Sequence, residues 1–426
     1  MSRTTSEAKR VLLNSREIEI PADWDVVTVG DVSQKTKGKK PDALYDNPAQ
    51  DRLPYLTIAA SQGEVSQWAN SEDGKRASDD HILMVWDGAS SGTVFKSFEG
   101  IIGSTLAAFE FDEGDLDSDF AYYSLSHHED RISELSEGTG ITHVPRDFTQ
   151  IFQILKPPLL EQRRIAGILS KVDDQIKLTN DIIKKVEELE KGLLQNLFKL
   201  FFEQDCKTIQ LGPFSVTIPS HWSVEMLDDL NKDEYPICYG VLKPGDYHAD
   251  GVQLLNIEDI TDTGEVLSDS VHRISEELHE QYSRSEIQGG EVVVSVKGTV
   301  GRVVHLNDDI EKSNISRDLA RITPTERLDP RWLRYCLSTK IYKDLIEVYS
   351  TGSTRASLNI GDLREIPVVC PPISEQLEIS DVIETLESTL ECERYRKQKL
   401  QSLKHGLMQD LLTGKVRVND ITVEDS

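Results

Sequence analysis

Two kinds of hydrophobic pattern alternate along this chain, and each occurs twice. From Ile18 to about Lys156 the apolar residues come in short runs broken by Gly, Asp and Pro. The runs Trp24–Val32, Pro54–Ala60, Ile82–Trp86 and Thr93–Phe98 have the length of strands and carry turn residues at their edges. One helix is expected near Ser118–Ser136, where Phe120, Tyr122, Tyr123 and Leu125 cluster. Residues 1–17 are polar and are expected to fray or pack weakly.

At Pro157-Pro158 the period changes. Ile165, Ile168, Leu169, Val172, Ile176, Ile183, Val186, Leu189, Leu193, Leu197 and Phe198 recur at helical spacing, with Lys184, Lys185, Glu187, Glu188 and Lys191 filling the gaps. This predicts an amphipathic helix of roughly 40 residues, about 60 Å long. The second half repeats the plan. Strand-like segments fall at Gln253–Ile257, Glu291–Val296 and Val300–Leu306, with a helix near Pro330–Tyr349. Pro371-Pro372 then opens a second long helix through Ile379, Val382, Ile383, Leu386, Leu390, Tyr395, Leu400, Leu403, Leu407, Leu411 and Leu412, stopping at Gly414. Helices of this length seek a helical partner, so the two are expected to pair antiparallel, as a spacer between two globular parts.

The same duplication is written in short motifs. Ile20-Pro21-Ala22-Asp23-Trp24 returns as Ile218-Pro219-Ser220-His221-Trp222, and Pro157-Pro158-Leu159-Leu160-Glu161-Gln162 returns as Pro371-Pro372-Ile373-Ser374-Glu375-Gln376. A half-length period is too long for a solenoid repeat. It implies two copies of one mixed α and β domain, and hence an α+β molecule with approximate two-fold symmetry. The expected boundaries are a polar segment at 1–17, a first domain at 18–157, a long helix at 158–203, a second domain at 204–371, a second long helix at 372–414 and a tail at 415–426.

Composition narrows the classes. No run of about 18 apolar residues is present, so no membrane span is expected. The start, Met1-Ser2-Arg3-Thr4-Thr5-Ser6, lacks the apolar core of a secretory signal. Five cysteines are scattered without a CxxC, which reads as reduced thiols in a cytoplasm and no zinc site. The formal charge of −27 runs against a nucleic-acid coat, since phosphate neutralisation needs cations. Such acidity fits either a salt-rich cytoplasm or faces turned toward a basic partner.

A search for catalytic chemistry returns nothing. No P-loop, zinc-protease or nucleophile-elbow motif occurs. His127-His128 beside Glu129 and Asp130 reads as a solvated surface, because neighbouring helix side chains point apart. The loops carry more. Trp86-Asp87-Gly88-Ala89-Ser90-Ser91-Gly92-Thr93 corresponds to Val296-Lys297-Gly298-Thr299-Val300-Gly301-Arg302, and Glu137–Arg146 corresponds to Thr351–Ser357. Glycines allow close approach of a phosphate or backbone, and the hydroxyls and cations can grip phosphate or read base edges. Each loop also reads as a plain turn. A basic island, Lys35, Lys37, Lys39 and Lys40, interrupts the acidic chain and equally reads as a solvated charge run.

These residues carry a family resemblance. Duplicated domains that each close with a Gly-rich loop and a Pro-Pro-x-x-Glu-Gln-x-x-Ile helix opening resemble the specificity subunit of type I restriction–modification systems. The closing Leu411-Leu412-Thr413-Gly414-Lys415-Val416-Arg417-Val418 is similar to that family's usual end, and the resemblance runs from about Ile18 to Val418. It implies a non-catalytic subunit whose two target-recognition domains each read half of a split sequence in double-stranded DNA. The helices would set the gap and dock two modification subunits, with restriction subunits joining. Cofactors are none in this chain; S-adenosylmethionine, ATP and Mg2+ would belong to partner subunits. By correspondence, Lys35, Lys37, Lys39, Lys40, Ser90, Ser91, Lys96, Thr139, Thr142, His143 and Arg146 would face the first half-site. Lys297, Thr299, Arg302, Arg317, Ser353, Thr354, Arg355 and Ser357 would face the second. The competing reading is a coiled-coil adaptor presenting two protein- or glycan-binding modules, which the acidity favours and the Lys/Arg/Ser/Thr loops oppose.

Overall fold

The computed structural model describes residues 8–136, 142–197, 205–261, 264, 266–267, 271–308, 310–350 and 356–418. Contacts divide the chain into two compact units, residues 1–180 with 395–426 and residues 181–394. The first opens on an antiparallel hairpin, β1 (Ala8–Leu13) and β2 (Arg16–Pro21). Residues 8–17, expected to pack weakly, are therefore ordered. Val11, Leu13, Ile18 and Ile20 form an apolar face hidden among the charges and reach the core.

Strand β3 (Asp25–Thr28) leads through the single turn α1 (Val29–Val32) and pairs with the unit's last strand, β12 (Gln153–Lys156). Two four-stranded sheets lie between them. One has the order β4 (Ser33–Lys37), β11 (Leu106–Phe111), β8 (Ile82–Val85) and β9 (Val94–Lys96). The other has the order β6 (Trp68–Asn70), β5 (Arg52–Leu56), β10 (Gly100–Ile102) and β7 (Arg76–Ala77), with β5 and β10 parallel. Helices α2 (Ser118–His127), α3 (Glu129–Glu134) and α4 (Phe148–Ile151) precede the long α5 (Leu159–Gln195).

The second unit repeats this strand for strand. Its hairpin is β13 (Cys206–Leu211) with β14 (Phe214–Pro219), and β15 (Ser223–Met226) pairs with β24 (Pro367–Cys370). One sheet runs β16 (Cys238–Tyr239), β23 (Leu319–Ile322), β20 (Val292–Ser295), β21 (Val303–His305). The other runs β18 (His272–Ile274), β17 (Val252–Leu255), β22 (Ser313–Ile315), β19 (Glu286–Ile287), with β17 and β22 parallel. Helix α6 (Glu276–Gln281) is inserted, and α7 (Pro330–Ser338), α8 (Lys340–Tyr349) and α9 (Ile360–Arg364) precede the long α10 (Ile373–Leu411). The helix expected at Ser118–Ser136 is thus two, parted at His128. That expected at Pro330–Tyr349 breaks at Thr339, whose extended backbone is held by its hydroxyl donating to the Cys336 carbonyl at 2.7 Å.

Strand β8 is apolar throughout because both of its faces are covered. Ile82, Met84 and Trp86 join the core beneath the helices, and Leu83 and Val85 join a second core against β5 and β10. In β20, Val292 and Val294 face the helix-side core and Val293 the other. Just after β4 and β16 the chain crosses the second sheet so closely that only glycine fits. A Cβ on Gly38 would lie 2.0 Å from the Gly103 carbonyl oxygen, and one on Gly240 would lie 1.7 Å from that of Ile315.

Each pair of repeated motifs meets inside its unit. Trp24 Nε1 donates to Glu161 Oε2 at 3.0 Å, and Trp222 Nε1 donates to Glu375 Oε2 at 2.9 Å. The next residue ties the helix start to the domain before it. Gln162 Nε2 donates to the Pro157 carbonyl at 2.8 Å and its Oε1 accepts from the Asp117 amide at 2.8 Å. Gln376 does the same with Pro371 at 2.8 Å and Asp329 at 2.9 Å. Asp117 and Asp329 in turn cap α2 and α7. Both glutamines and both tryptophans are fully buried. In the first unit Arg417 completes the cluster, donating to Glu161 at 2.7 Å and 2.8 Å and to Asp23 at 2.9 Å and 2.7 Å. In the second unit His221 Nε2 meets Glu375 Oε1 at 2.8 Å.

The long helices span 37 and 39 residues, and each passes through both units. Within the first unit their segments run antiparallel, Asp173 meeting Lys404 at 2.6 Å and Gln175 meeting Arg396 at 3.4 Å. Within the second, Glu187 meets Arg394 at 2.8 Å, and Glu190, raised by burial first and then by the Glu387 charge, lies nearer the start of α10. The buried stripe departs from the expected one. Leu189, Val382, Tyr395 and Leu403 are exposed, whereas polar Thr179 and Ser380 are buried, Ser380 donating to Asp329 Oδ1 at 3.4 Å.

His127 and His128 are half-buried rather than solvated, His128 stacking edge-on against Phe152. Burial first, then His128 and His405, pushes His127 down to about 4 from the ordinary 6.5. The unfolded chain therefore binds this proton first, and stability is lost as pH falls from about 6.5 toward about 4. Urea midpoints should drop between about pH 7 and about pH 5, and His127→Gln should flatten that slope; an unaltered slope would remove this histidine as its source. Gly240→Ala should destabilise by roughly 1–3 kcal/mol through overpacking. Gly361→Ala, with open space around it in α9, should be neutral or stabilising, and thermal denaturation of both compares them directly.

Candidate nucleic-acid interface

In the first unit the end of β4, the loop after β8 and the segment 142–146 enclose an open groove of about 430 Å³. Lys35, Lys37, Trp86, Asp87, His143 and Arg146 line it. The floor is set by backbone pairing: the Val144 amide donates to the Trp86 carbonyl at 2.9 Å, the Gly88 amide to the Thr142 carbonyl at 2.8 Å, and Asp87 bridges to His143. Gly88 has φ 115°, which an L side chain rarely adopts and which turns the chain into the Ser90-Ser91 loop.

The cations are arranged differently from one another. Lys35 Nζ stands 4.0 Å from the centre of the Trp86 ring, and burial, then Lys37, pushes its ammonium down from the ordinary range. Lys37 Nζ donates to Asp87 Oδ2 at 2.7 Å and to the Ser104 carbonyl at 2.8 Å. Arg146, Lys39 and Lys40 are exposed and make no ion pair among the described residues. A locally cationic groove is thus present in an acidic chain.

Other expected residues serve the frame. Ser91 is buried and donates to Ser136 Oγ at 2.9 Å and Thr142 Oγ1 at 3.2 Å, and Thr142 donates to the Gly88 carbonyl at 2.6 Å. Lys96 pairs with Asp119 of α2 at 2.6 Å and stands outside the groove lining. Ser90 is exposed in the loop, and Thr139 lies outside the described residues.

The second unit builds the same frame with other side chains. The Leu358 amide donates to the Val296 carbonyl at 2.9 Å, Lys297 bridges to Ser357, and Gly298 has φ 76°. Registers fix the correspondence. Lys37 pairs with Ala107 and Ala107 with Met84; Tyr239 pairs with Ala320 and Ala320 with Val294. Tyr239 therefore stands where Lys37 stands, and Lys297 where Asp87 stands. Lys297 Nζ lies 4.7 Å from the Tyr239 ring centre. Thr299 is exposed, and Arg317, also exposed, lies 3.6 Å from Asp318. Arg302 is committed to structure, its Nη1 donating to the carbonyls of Ile257 at 3.2 Å and Ile260 at 3.0 Å. Ser353, Thr354 and Arg355 lie outside the described residues. Sequence reasoning placed Trp86 and Asp87 in a candidate loop without naming them as contacts and passed over Tyr239; the available signal was the Gly38 and Gly240 pair, which marks the same position in both copies.

A family model described as the type I restriction modification DNA specificity domain matches residues 21–188 and 241–402, one copy on each half. The chain belongs to this specificity family. The MjaVIII type I specificity subunit of Methanocaldococcus jannaschii is 27% identical over 95% of each chain. The EcoBI specificity subunit of Escherichia coli is 26% identical over 87% of this chain and 80% of its own. The solved S subunit of a type I system from M. genitalium shares the fold, with a TM-score of 0.60 and 16% identity over 94% of this chain and 97% of that one. No helix among the described residues is long and apolar enough to cross a membrane.

Half-buried and committed cations should separate in denaturation. Lys297→Ala should cost about 0.5–1 kcal/mol, as a cation–π contact near the surface does. Arg302→Ala, which strips donors from two part-buried carbonyls, should cost roughly 1–3 kcal/mol. Equal losses in urea unfolding would contradict this division.

Proposed function

We propose that this chain is the DNA-reading subunit of a type I restriction–modification assembly, each unit contacting one half of a bipartite duplex target through its groove. The observation that carries this reading is one hydrogen-bonded frame built twice and furnished with different side chains. That is what two related readers of two different short sequences require. The adaptor reading loses its ground, because acidity is a property of the whole chain and the groove is cationic.

The chain supplies recognition, and the methyl transfer and any cleavage come from partners. Two modification subunits would bring S-adenosylmethionine, and restriction subunits would bring ATP and Mg2+. Exposed apolar residues on the long helices, such as Leu160, Leu189, Val382 and Leu403, offer modification subunits a place to dock. The lengths of these helices would fix the number of base pairs between half-sites.

Co-expression with modification subunits and genome-wide mapping of methylated adenine tests the reading. One split motif with a fixed gap is expected; an unsplit motif, or none, would refute it. Inserting one helical turn into α5, about 5.4 Å, should change the gap by on the order of one or two base pairs and leave both half-sequences intact.

A further inference from the structure

Asp87 is out of place in a groove that faces phosphates. A carboxylate repels the backbone of a duplex, yet it sits among Lys35, Lys37 and Arg146. Stability does not demand it. The Lys37–Asp87 pair is about one-third exposed on each side, and surface pairs of this kind add little to stability. The second unit keeps the same frame with no such pair, having Tyr239 and Lys297 at the two positions.

The geometry leaves Asp87 usable. Lys37 takes Oδ2 and neutralises the charge, and Oδ1 has no hydrogen-bond partner among the described residues. The result is a charge-compensated acceptor at a groove wall. Lys297 is its opposite, a donor held against a ring face on a half-buried side chain. Base edges in the major groove distinguish these two chemistries. Cytosine and adenine offer an amino donor, whereas guanine and thymine offer keto acceptors.

Building on the DNA-reading proposal above, we infer that Asp87 and Lys297 are equivalent specificity-determining residues of opposite sense. Asp87 selects an amino base, C or A, on the strand it faces in the first half-site. Lys297 selects a keto base, G or T, in the second. The shared frame places both at the same point of their units, so the difference in sequence read there follows from the exchanged donor and acceptor alone.

The test is adenine-methylation mapping of the complex reconstituted with modification subunits, comparing wild type, Asp87→Lys and Lys297→Asp. Asp87→Lys should convert one position of one half-site from C or A to G or T. Lys297→Asp should make the reverse change at one position of the other half-site. The discrimination lost should be roughly 10- to 100-fold per position. Should a charge reversal abolish methylation, Asp87→Ala and Lys297→Gln decide: a single relaxed position in the matching half-site supports the inference, and an unrelaxed motif overturns it. Uniform weakening at every position also overturns it, since that marks a phosphate or structural role. A wild-type complex that methylates no bipartite motif would instead refute the DNA-reading proposal itself.

Discussion

A glutamate and a buried glutamine at the start of each long helix hold the rest of this protein in place. A helix start exposes unsatisfied amides and a positive dipole end, and an acidic first turn answers both. Here the carboxylate also reaches back to the indole of the repeated Trp, and the carboxamide reaches back to the aspartate that caps α2 or α7. The two Trp–Glu contacts span 137 and 153 residues of sequence, so the motifs that begin and end a unit are the ones that touch. The repeated frame behind the groove is then carried on a helix whose direction is fixed at its first turn.

That arrangement explains what varies. The bonds that shape the groove are made by the backbone, which different side chains supply alike, so exchanging the side chains that face the solvent leaves them in place. Lys35 over Trp86 and Lys297 over Tyr239 show the consequence. Both units place an ammonium against an aromatic face, yet the cation comes from the strand in one and from the loop in the other. Local charge at the groove is decoupled from the −27 of the whole chain, because a few uncompensated lysines and Arg146 dominate the field at short range.

Much of this was legible in the sequence. The duplicated motifs, the change of period at Pro157 and Pro371, and the central strands β8 and β20 needed only periodicity and prolines. The β1–β2 hairpin was not legible, since its apolar residues are diluted by Lys9, Arg10, Arg16, Glu17 and Glu19. Neither was the break at Thr339, which no glycine or proline announces. The helix stripe misled at Leu189 and Val382, because helical spacing cannot tell which face is covered when polar Thr179 and Ser380 take buried positions. In the groove, lysine-rich spacing drew attention to Lys35 and Lys37 but gave no hint that Asp87 neutralises one and Trp86 holds the other. Those are long-range contacts made only by the sheet register.

The most direct measurement is an exchange of one reader. Residues Asp25–Lys156 would be replaced by the corresponding segment of a relative with a different target, keeping Trp24, Glu161 and Gln162 so that the helix-start cluster re-forms, and the methylated motif would be mapped. The account predicts that one half-sequence changes to the donor's while the other half-sequence and the gap stay as they were. A motif altered in both halves, or unaltered in both, would contradict it.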